Sequence, residues 1–269
     1  MASAPLVGPL CTRFTIGRDL CKLGVEAGDI LLVHSSMRSL GFINGGAETV
    51  VQALLDTLGP AGTLVVPTHS GDNSDPSEWA NPPVPKEWWD EIRRTMPLYN
   101  QQTTRTRGMG VIPETVRTWP FAVRSAHPQT SFAAVGPRAE ALMEEHALDC
   151  RLGENSPLAK LENHEAKILL LGVGFGCCTS FHLAEYRVQS PIVDNSFSVG
   201  TPEGPQWMTV RDVSPNEELF DELGAAFEKE HEINRGKVGA ADAWLFSLGE
   251  AVKFAEKWLP VNRPNTDLI

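Results

Sequence analysis

The chain has 269 residues, 42% of them apolar, and its 23 basic and 34 acidic side chains leave a net charge of −11. That length and apolar share sustain a buried core and exclude a disordered chain. The negative balance repels nucleic acid and anionic membrane surfaces, so neither is expected as a partner. It suits a cationic ligand if the acids gather at a cleft; scattered, they are a soluble acidic surface and nothing more.

No apolar run approaches the ~20 residues that a bilayer demands. Met1 to Leu10 has no basic flank before an apolar stretch, so no secretory signal is expected and the cytoplasm is the expected location. The five cysteines (Cys11, Cys21, Cys150, Cys177, Cys178) have no metal-type spacing, and an odd count suits reduced thiols. The adjacent Cys177 and Cys178 read as buried inert thiols, with a nucleophilic cysteine as the sharper alternative.

Asp29 to His34 is a short apolar run bounded by Gly28 and Ser35, the pattern of a buried strand. A loop rich in Ser and Gly follows to Gly46. Glu48 to Leu58 carries Val50, Val51, Leu54, Leu55 and Leu58 at helical spacing, and Gly59-Pro60-Ala61-Gly62 stops the helix. Thr63 to Pro67 is a second buried strand. This βαβ pattern predicts a parallel pair with a right-handed crossover. Residues 68–103 hold Trp79, Trp88, Trp89 and several prolines; they read as an insertion that walls the site, with a short helix from about Pro85 to Thr95.

Further helices are expected over Gly110 to Thr118 and Pro137 to His146, and a short strand over Phe132 to Val135. Ser156 and Pro157 begin a helical turn as N-cap and first helical residue. Lys167 to Val173 is the strongest strand in the chain; Gly174-Phe175-Gly176 breaks it, and Thr179 to Arg187 reads as a helix. An antiparallel hairpin is predicted from about Val193 to Val213, with Gly200 and Gly204 as turn signals, then two helices over about 216–233 and 240–258. The expected fold is therefore α/β, a single domain over 1–269: a central mixed, mostly parallel sheet flanked by helices, with the hairpin added to it and C-terminal helices.

Seven histidines (His34, His69, His127, His146, His164, His182, His231) form no HxH, HExxH or HxxxH pair, so no metal is expected. His34 ends the first strand, where ligands of open α/β sheets bind. The loop His34-Ser35-Ser36-Met37-Arg38-Ser39-Leu40-Gly41 offers backbone N–H groups, hydroxyls and one cation to a phosphate, or is simply a turn that starts a helix. It is neither a dinucleotide fingerprint nor a Walker loop. His182 stands three residues from both Thr179 and Glu185, so a helix puts hydroxyl, imidazole and carboxylate on one face. Such a histidine suits general-base work near neutral pH, the bland alternative being a satisfied core histidine. Asp72, Asp75 and Asp212 are candidate carboxylates for holding a polyamine or orienting His182, each of them otherwise a solvated surface side chain.

Six segments in order resemble the aminoglycoside 3-N-acetyltransferases: Val33 to Gly41, Gly45-Gly46, Leu58 to Leu64, Arg124-Ser125-Ala126-His127-Pro128, Ile168 to Gly174, and His182-Leu183-Ala184-Glu185. The resemblance spans nearly the whole chain. It implies acetyl-CoA as co-substrate, lined by His34, Ser35, Ser36, Met37, Arg38, Ser39, Leu40 and Gly41 and approached by Thr106, Arg107, Gly108 and Met109. It implies His182 as the base, Glu185 or Asp212 as the acid that orients it or holds substrate, and a cationic aminoglycoside as acceptor. Thr179 is the expected donor to the developing charge, and Asp72 and Asp75 are further candidates for the substrate side. Direct transfer is the expected mechanism, with a ping-pong route through Cys177 or Cys178 as its rival, and a monomer or homodimer is expected. Competing readings are weaker. No GxSxG turn supports a hydrolase, no histidine cluster supports a metal amidohydrolase, and a CoA-binding module without chemistry would not need His182 and its acids.

Overall fold

A computed structural model describes residues 8–201 and 204–263. The readings that fall on Met1 to Val7 and on the tip of the hairpin at 202–203 lie outside the described residues.

Strand β1 (Leu10–Cys11) leads into α1 (Arg13–Leu23), which Thr12 caps by a reciprocal box with Thr15 and Gly24 ends at φ 103°. Next come β2 (Ile30–Ser35), a 3-10 turn (Met37–Leu40), β3 (Phe42–Ile43), α2 (Gly46–Leu58) and β4 (Thr63–Pro67). The insertion holds two 3-10 turns and α3 (Trp89–Thr95). After it come α4 (Val111–Arg117), β5 (Val123–Arg124), β6 (Phe132–Val135), α5 (Ala139–Met143), α6 (Pro157–Asn163) and β7 (Lys167–Leu171). A 3-10 turn (Phe175–Cys177) then leads to α7 (Phe181–Arg187), β8 (Ile192–Thr201) and β9 (Gly204–Val213). The last elements are α8 (Phe220–Glu230), β10 (Asn234–Val238), β11 (Ala241–Ser247) and α9 (Leu248–Asn262).

Seven strands form one mixed sheet in the order β10-β11-β7-β2-β4-β6-β5. The parallel part is its centre, where β2 lies between β7 and β4; the outer pairings are antiparallel. Alternate residues of the central strands enter two cores. Leu32, Ile168 and Leu170 face one, with α6, α7, α8 and α9. Leu31, Val33, Leu169 and Leu171 face the other, with α1, α2 and α4. Burial on both faces is why these strands read as unbroken apolar runs.

Two expectations are corrected. The hairpin β8–β9 forms its own two-stranded sheet and does not extend the main one; the mixed character comes from β5, β6, β10 and β11. The predicted helix over 240–258 is a strand followed by a helix. Ala241, Ala243 and Leu245 alternate into one core and Phe246 enters the other, a period of two that pairs β11 antiparallel to β7. Ser247 then caps α9 by accepting from Glu250 N–H.

The 3-10 turn after β7 is pinned by its Phe175 ring, which packs between Phe181, Trp244 and Phe246. That ring lies directly on Gly224 of α8: a methyl group there would stand 1.9 Å from Phe175 Cγ and 2.2 Å from its Cβ. Rotating the ring cannot clear a contact with Cβ. Gly224→Ala is therefore expected to cost ~1–3 kcal/mol by overpacking. Denaturant unfolding measures it, and an unchanged midpoint would refute the close approach.

Candidate active site

The carboxyl ends of the three parallel strands open on one side of the sheet, and a cavity of about 440 Å³ lies there. β2 contributes His34 and Ser35, the end of β4 contributes Pro67 and His69, and the turn after β7 contributes Val173 and the run Gly176 to Thr179. Helix α7 adds His182 across that mouth, and Glu217 and Phe220 come from the approach to α8. The position is the one where open α/β sheets hold ligands.

His182 Nδ1 lies 2.7 Å from Glu185 Oε2, and Phe220 packs on the ring with centroids 4.8 Å apart. An ionised carboxylate only accepts, so Nδ1 donates and the lone pair is left on Nε2. Nε2 has no partner among the described residues. Glu185 is only 1% exposed. It also accepts from the Asn216 N–H at 3.3 Å and from the guanidinium of Arg263. Thr179 is buried against the same cavity.

Three polar atoms around this cavity, His34 Nε2, His69 Nε2 and Ser35 Oγ, are buried without any hydrogen-bond partner. Burial, with a smaller push from His182, lowers His34 and His69 to about 3, so both rings are neutral at neutral pH. Neutral, unpartnered imidazoles lining a cavity are groups that a bound ligand would satisfy.

Of the expected coenzyme residues, His34, Ser35, Gly108 and Met109 line this cavity. The segment holding the last two is drawn in by Arg107 N–H on His69 O at 2.8 Å, and Thr106 N–H is tied to Glu114. Ser36, Met37, Arg38, Ser39, Leu40 and Gly41 lie beside the cavity and do not line it. Arg38 is exposed, and Ser39 Oγ is held by Gly172 O at 2.9 Å. The Leu40 side chain is fully buried in the core, so it offers a coenzyme no side-chain contact.

Asp212 does not reach His182; it accepts from Tyr186 Oη at 2.7 Å and from Arg151 N–H at 3.1 Å, with the Arg151 guanidinium at 3.2 Å. Asp75 is consumed by Arg93 at 2.7 Å and by capping Ser77 N–H, and these bonds hold it down at about 2. Asp72 is exposed and pairs with Arg107 at 3.3 Å; both line a neighbouring cavity of about 780 Å³ whose wall the insertion supplies through Trp79 and Leu98. His127 is a core residue: its Nδ1 accepts from Gln129 and Thr130 N–H at 3.2 Å. Cys178 is buried, which pushes its thiol up to about 12; Cys177 is exposed and raised by partial burial and by Asp221. Neither environment favours a thiolate.

Sequence reasoning missed His69, Asn216, Phe220 and Arg263. His69 follows β4 much as His34 closes β2, and that signal was available. The other three arrive from the C-terminal third of the chain by packing alone. Among the described residues no group of three or more His, Cys, Asp or Glu could hold a metal ion, and no helix is long and apolar enough to cross a membrane.

The model of one protein family, described as Aminoglycoside 3-N-acetyltransferase, matches residues 32–260. The chain belongs to that family. The SPbeta prophage-derived aminoglycoside N(3')-acetyltransferase-like protein YokD of Bacillus subtilis (strain 168) is 49% identical over 92% of each chain. The YokD crystal structure superposes with a TM-score of 0.93, covering 94% of this chain and 95% of that one. AAC-IIIb, solved as a binary complex with CoASH, is 32% identical at a TM-score of 0.84, covering 94% and 97%. AAC-VIa bound to sisomicin is 27% identical at 0.83, covering 94% and 98%.

The acetyltransferase carries three imidazoles exposed to less than a tenth: His34 at about 3, His127 at about 2 and His146 at about 4, each lowered chiefly by burial from an ordinary 6.5. Below 6.5 the unfolded chain takes up protons that the folded chain refuses. Their contribution to stability is therefore full above that pH and is lost as pH falls toward the folded values. Unfolding midpoints compared between about pH 7 and about pH 5 should fall steadily, with net proton uptake on unfolding. A midpoint that stays level over that range would contradict the burial of these rings as neutral species.

Proposed function

We propose that this protein moves the acetyl group of acetyl-CoA directly onto the 3-amino group of an aminoglycoside, with His182 as general base. The observation that carries the reading is the His182–Glu185 pair at a cavity beyond the parallel strands, with Nε2 left free. Family membership supports the reaction class, and the CoASH and sisomicin complexes of the two relatives support the co-substrate and the acceptor. Acetyl-CoA and a cytoplasmic setting belong together in this reading.

An aminoglycoside amine is protonated at neutral pH and has no lone pair until it loses a proton. Nε2 of His182 takes that proton, directly or through one water, and Glu185 holds the resulting imidazolium. The freed amine attacks the thioester carbonyl carbon. A C–N bond forms, the C–S bond breaks, and the sulfur leaves as the CoA thiolate, which takes the proton from the imidazolium; the second proton of the acylated nitrogen passes to the regenerated Nε2 and on to water, leaving the neutral amide. The Thr179 hydroxyl is available to donate to the oxyanion or to the departing sulfur. His34, His69 and Ser35 offer uncharged hydrogen-bonding groups, and Arg38, exposed on the turn after β2, offers a cation to a coenzyme phosphate.

A second reading, acetylation of a smaller or less charged amine, has one observation in its favour. Asp75 and Asp72 are engaged by Arg93 and Arg107, and Glu217 is the carboxylate that lines the cavity itself. A panel of aminoglycosides and simple diamines separates the two.

Thiol release from acetyl-CoA is expected to depend on an aminoglycoside and to drop by ~10²–10⁴-fold in His182→Ala, with coenzyme binding nearly intact. Near-normal turnover in that variant would remove His182 from the mechanism. Release with diamines but with no aminoglycoside would select the second reading. The ping-pong route makes a different demand. A Cys177→Ser, Cys178→Ser double variant should keep full activity, and loss of burst and turnover together would restore the cysteine route.

A further inference from the structure

A carboxylate as deeply buried as Glu185 needs donors beyond one imidazole N–H to replace its lost hydration. Among the described residues, the Lys or Arg that meets it is Arg263, which follows the last turn of α9 and donates its own N–H to Leu259 O at 2.8 Å. The guanidinium is forked. Nη1 donates to Glu185 Oε1, and Nη2 donates to the Asn216 carbonyl at 2.5 Å. The Asn216 N–H in turn donates to Glu185 at 3.3 Å. The plane of the fork sits 5.9 Å from the Phe220 ring, and Phe220 packs on His182. Arg263 lies past residue 260, where the family match ends.

From this geometry we propose that Arg263 is a positioning residue for the transfer reaction: its guanidinium holds the Glu185 carboxylate in place as an acceptor aimed at Nδ1, and so fixes the tautomer of His182. A base facing the cavity needs its lone pair on Nε2, hence its proton on Nδ1. Glu185 enforces that only as an acceptor. Without the guanidinium, Glu185 Oε1 loses its charged donor and the carboxylate is free to turn away from Nδ1 toward water. That change frees Nδ1–H, and the ring relaxes toward the Nε2–H form, which cannot accept a proton from the substrate. The charged or titratable groups facing His182 from elsewhere are His34 on β2, His69 after β4, Cys177 and Cys178 on the turn after β7, and Glu217 before α8. His34 and His69 are neutral, and the thiols are raised, so none of these replaces the guanidinium as a counter-charge to Glu185.

The inference rests on the proposed base role of His182, and its test includes a readout that needs no substrate. The ¹⁵N spectrum of the full chain, with the His182 ring assigned through His182→Gln, reports which nitrogen carries the proton when the ring is neutral. Wild type should show the Nδ1–H form. Arg263→Gln should move the population toward Nε2–H and lower kcat by roughly 10–100-fold, as when a charge-assisted hydrogen bond to a buried carboxylate is lost. KM for acetyl-CoA should hold. In a Glu185→Gln background, removing Arg263 should lower kcat no further, because its route to His182 is already cut. A lower melting temperature with the tautomer and kcat unmoved, or losses that add fully in the double variant, would overturn the inference and leave Arg263 a structural clamp. If the glutamine variant does not fold, Arg263→Lys is read the same way. A lysine ammonium keeps the charge but lacks the planar fork that bridges Glu185 and Asn216 O, so a smaller shift in the same direction is expected, and an unchanged ring with unchanged kcat overturns the proposal. A tautomer that shifts as expected in a protein that acetylates no amine would leave this inference standing and remove the proposed function instead.

Discussion

One carboxylate with no access to water organises the site. Removing an ionised group from solvent costs several kcal/mol unless donors replace its hydration, and Glu185 collects three: the His182 ring, the Asn216 N–H and the Arg263 guanidinium. Those donors belong to α7, to the connection between β9 and α8, and to the end of α9. The three elements cannot satisfy Glu185 unless they are packed in register, so the ionic constraint and the apolar core under it specify the same arrangement. Phe181, Phe220 and Leu183 supply that core from below.

The same cavity shows one residue type set to different tasks by its surroundings. His34 and His69 end the strands beneath the site and are kept neutral by burial. His182 sits at the mouth with a carboxylate behind it. Neutral rings contribute hydrogen bonds to a ligand without adding positive charge beside a base that must accept a proton from a cation. A charged imidazole at either position would raise the energy of the imidazolium that His182 becomes during transfer. Keeping His34 and His69 uncharged therefore spares that transient imidazolium a like-charge neighbour.

Much of this was legible in the sequence, for physical reasons that also explain the failures. β2, β4 and β7 are buried on both faces, so their apolar runs are unbroken, and the stripe of α2 has one period only. His182 and Glu185 were readable because a helix fixes what is three residues apart. The surroundings of Asp212 were not readable, because its partners, Arg151 and Tyr186, are brought to it across the fold and leave no local mark. β11 was merged into the last helix because Ala-Asp-Ala-Trp-Leu-Phe suits either period over so short a run; Gly239, at φ 59° in the turn before it, was the overlooked sign of a hairpin. Arg263 had no signal at all, since a single arginine near the end of a chain becomes informative only once α9 has delivered it to Glu185.

Net charge was the weakest guide to the ligand, and the structure explains why. A count of 34 acids against 23 bases invites the picture of an acidic cleft awaiting a polycation. Many of those acids are already neutralised inside the molecule: Asp75 by Arg93, Glu114 by Arg117, Asp212 by Arg151, Glu185 by Arg263, and Glu154, Glu162 and Glu256 together by Arg187. Coulomb attraction for an incoming cation comes from charges that face the cavity unpaired, because a paired carboxylate presents a dipole whose field decays faster than that of a charge. At the cavity mouth that leaves Glu217 as the carboxylate to consider first. Recognition of a cationic sugar here must then lean on the uncharged groups, the free His34 and His69 nitrogens and the Ser35 and Thr179 hydroxyls, as much as on charge. Hydrogen-bonding groups of that kind discriminate between amines by the placement of neighbouring hydroxyls, which is a finer selection than net charge can make.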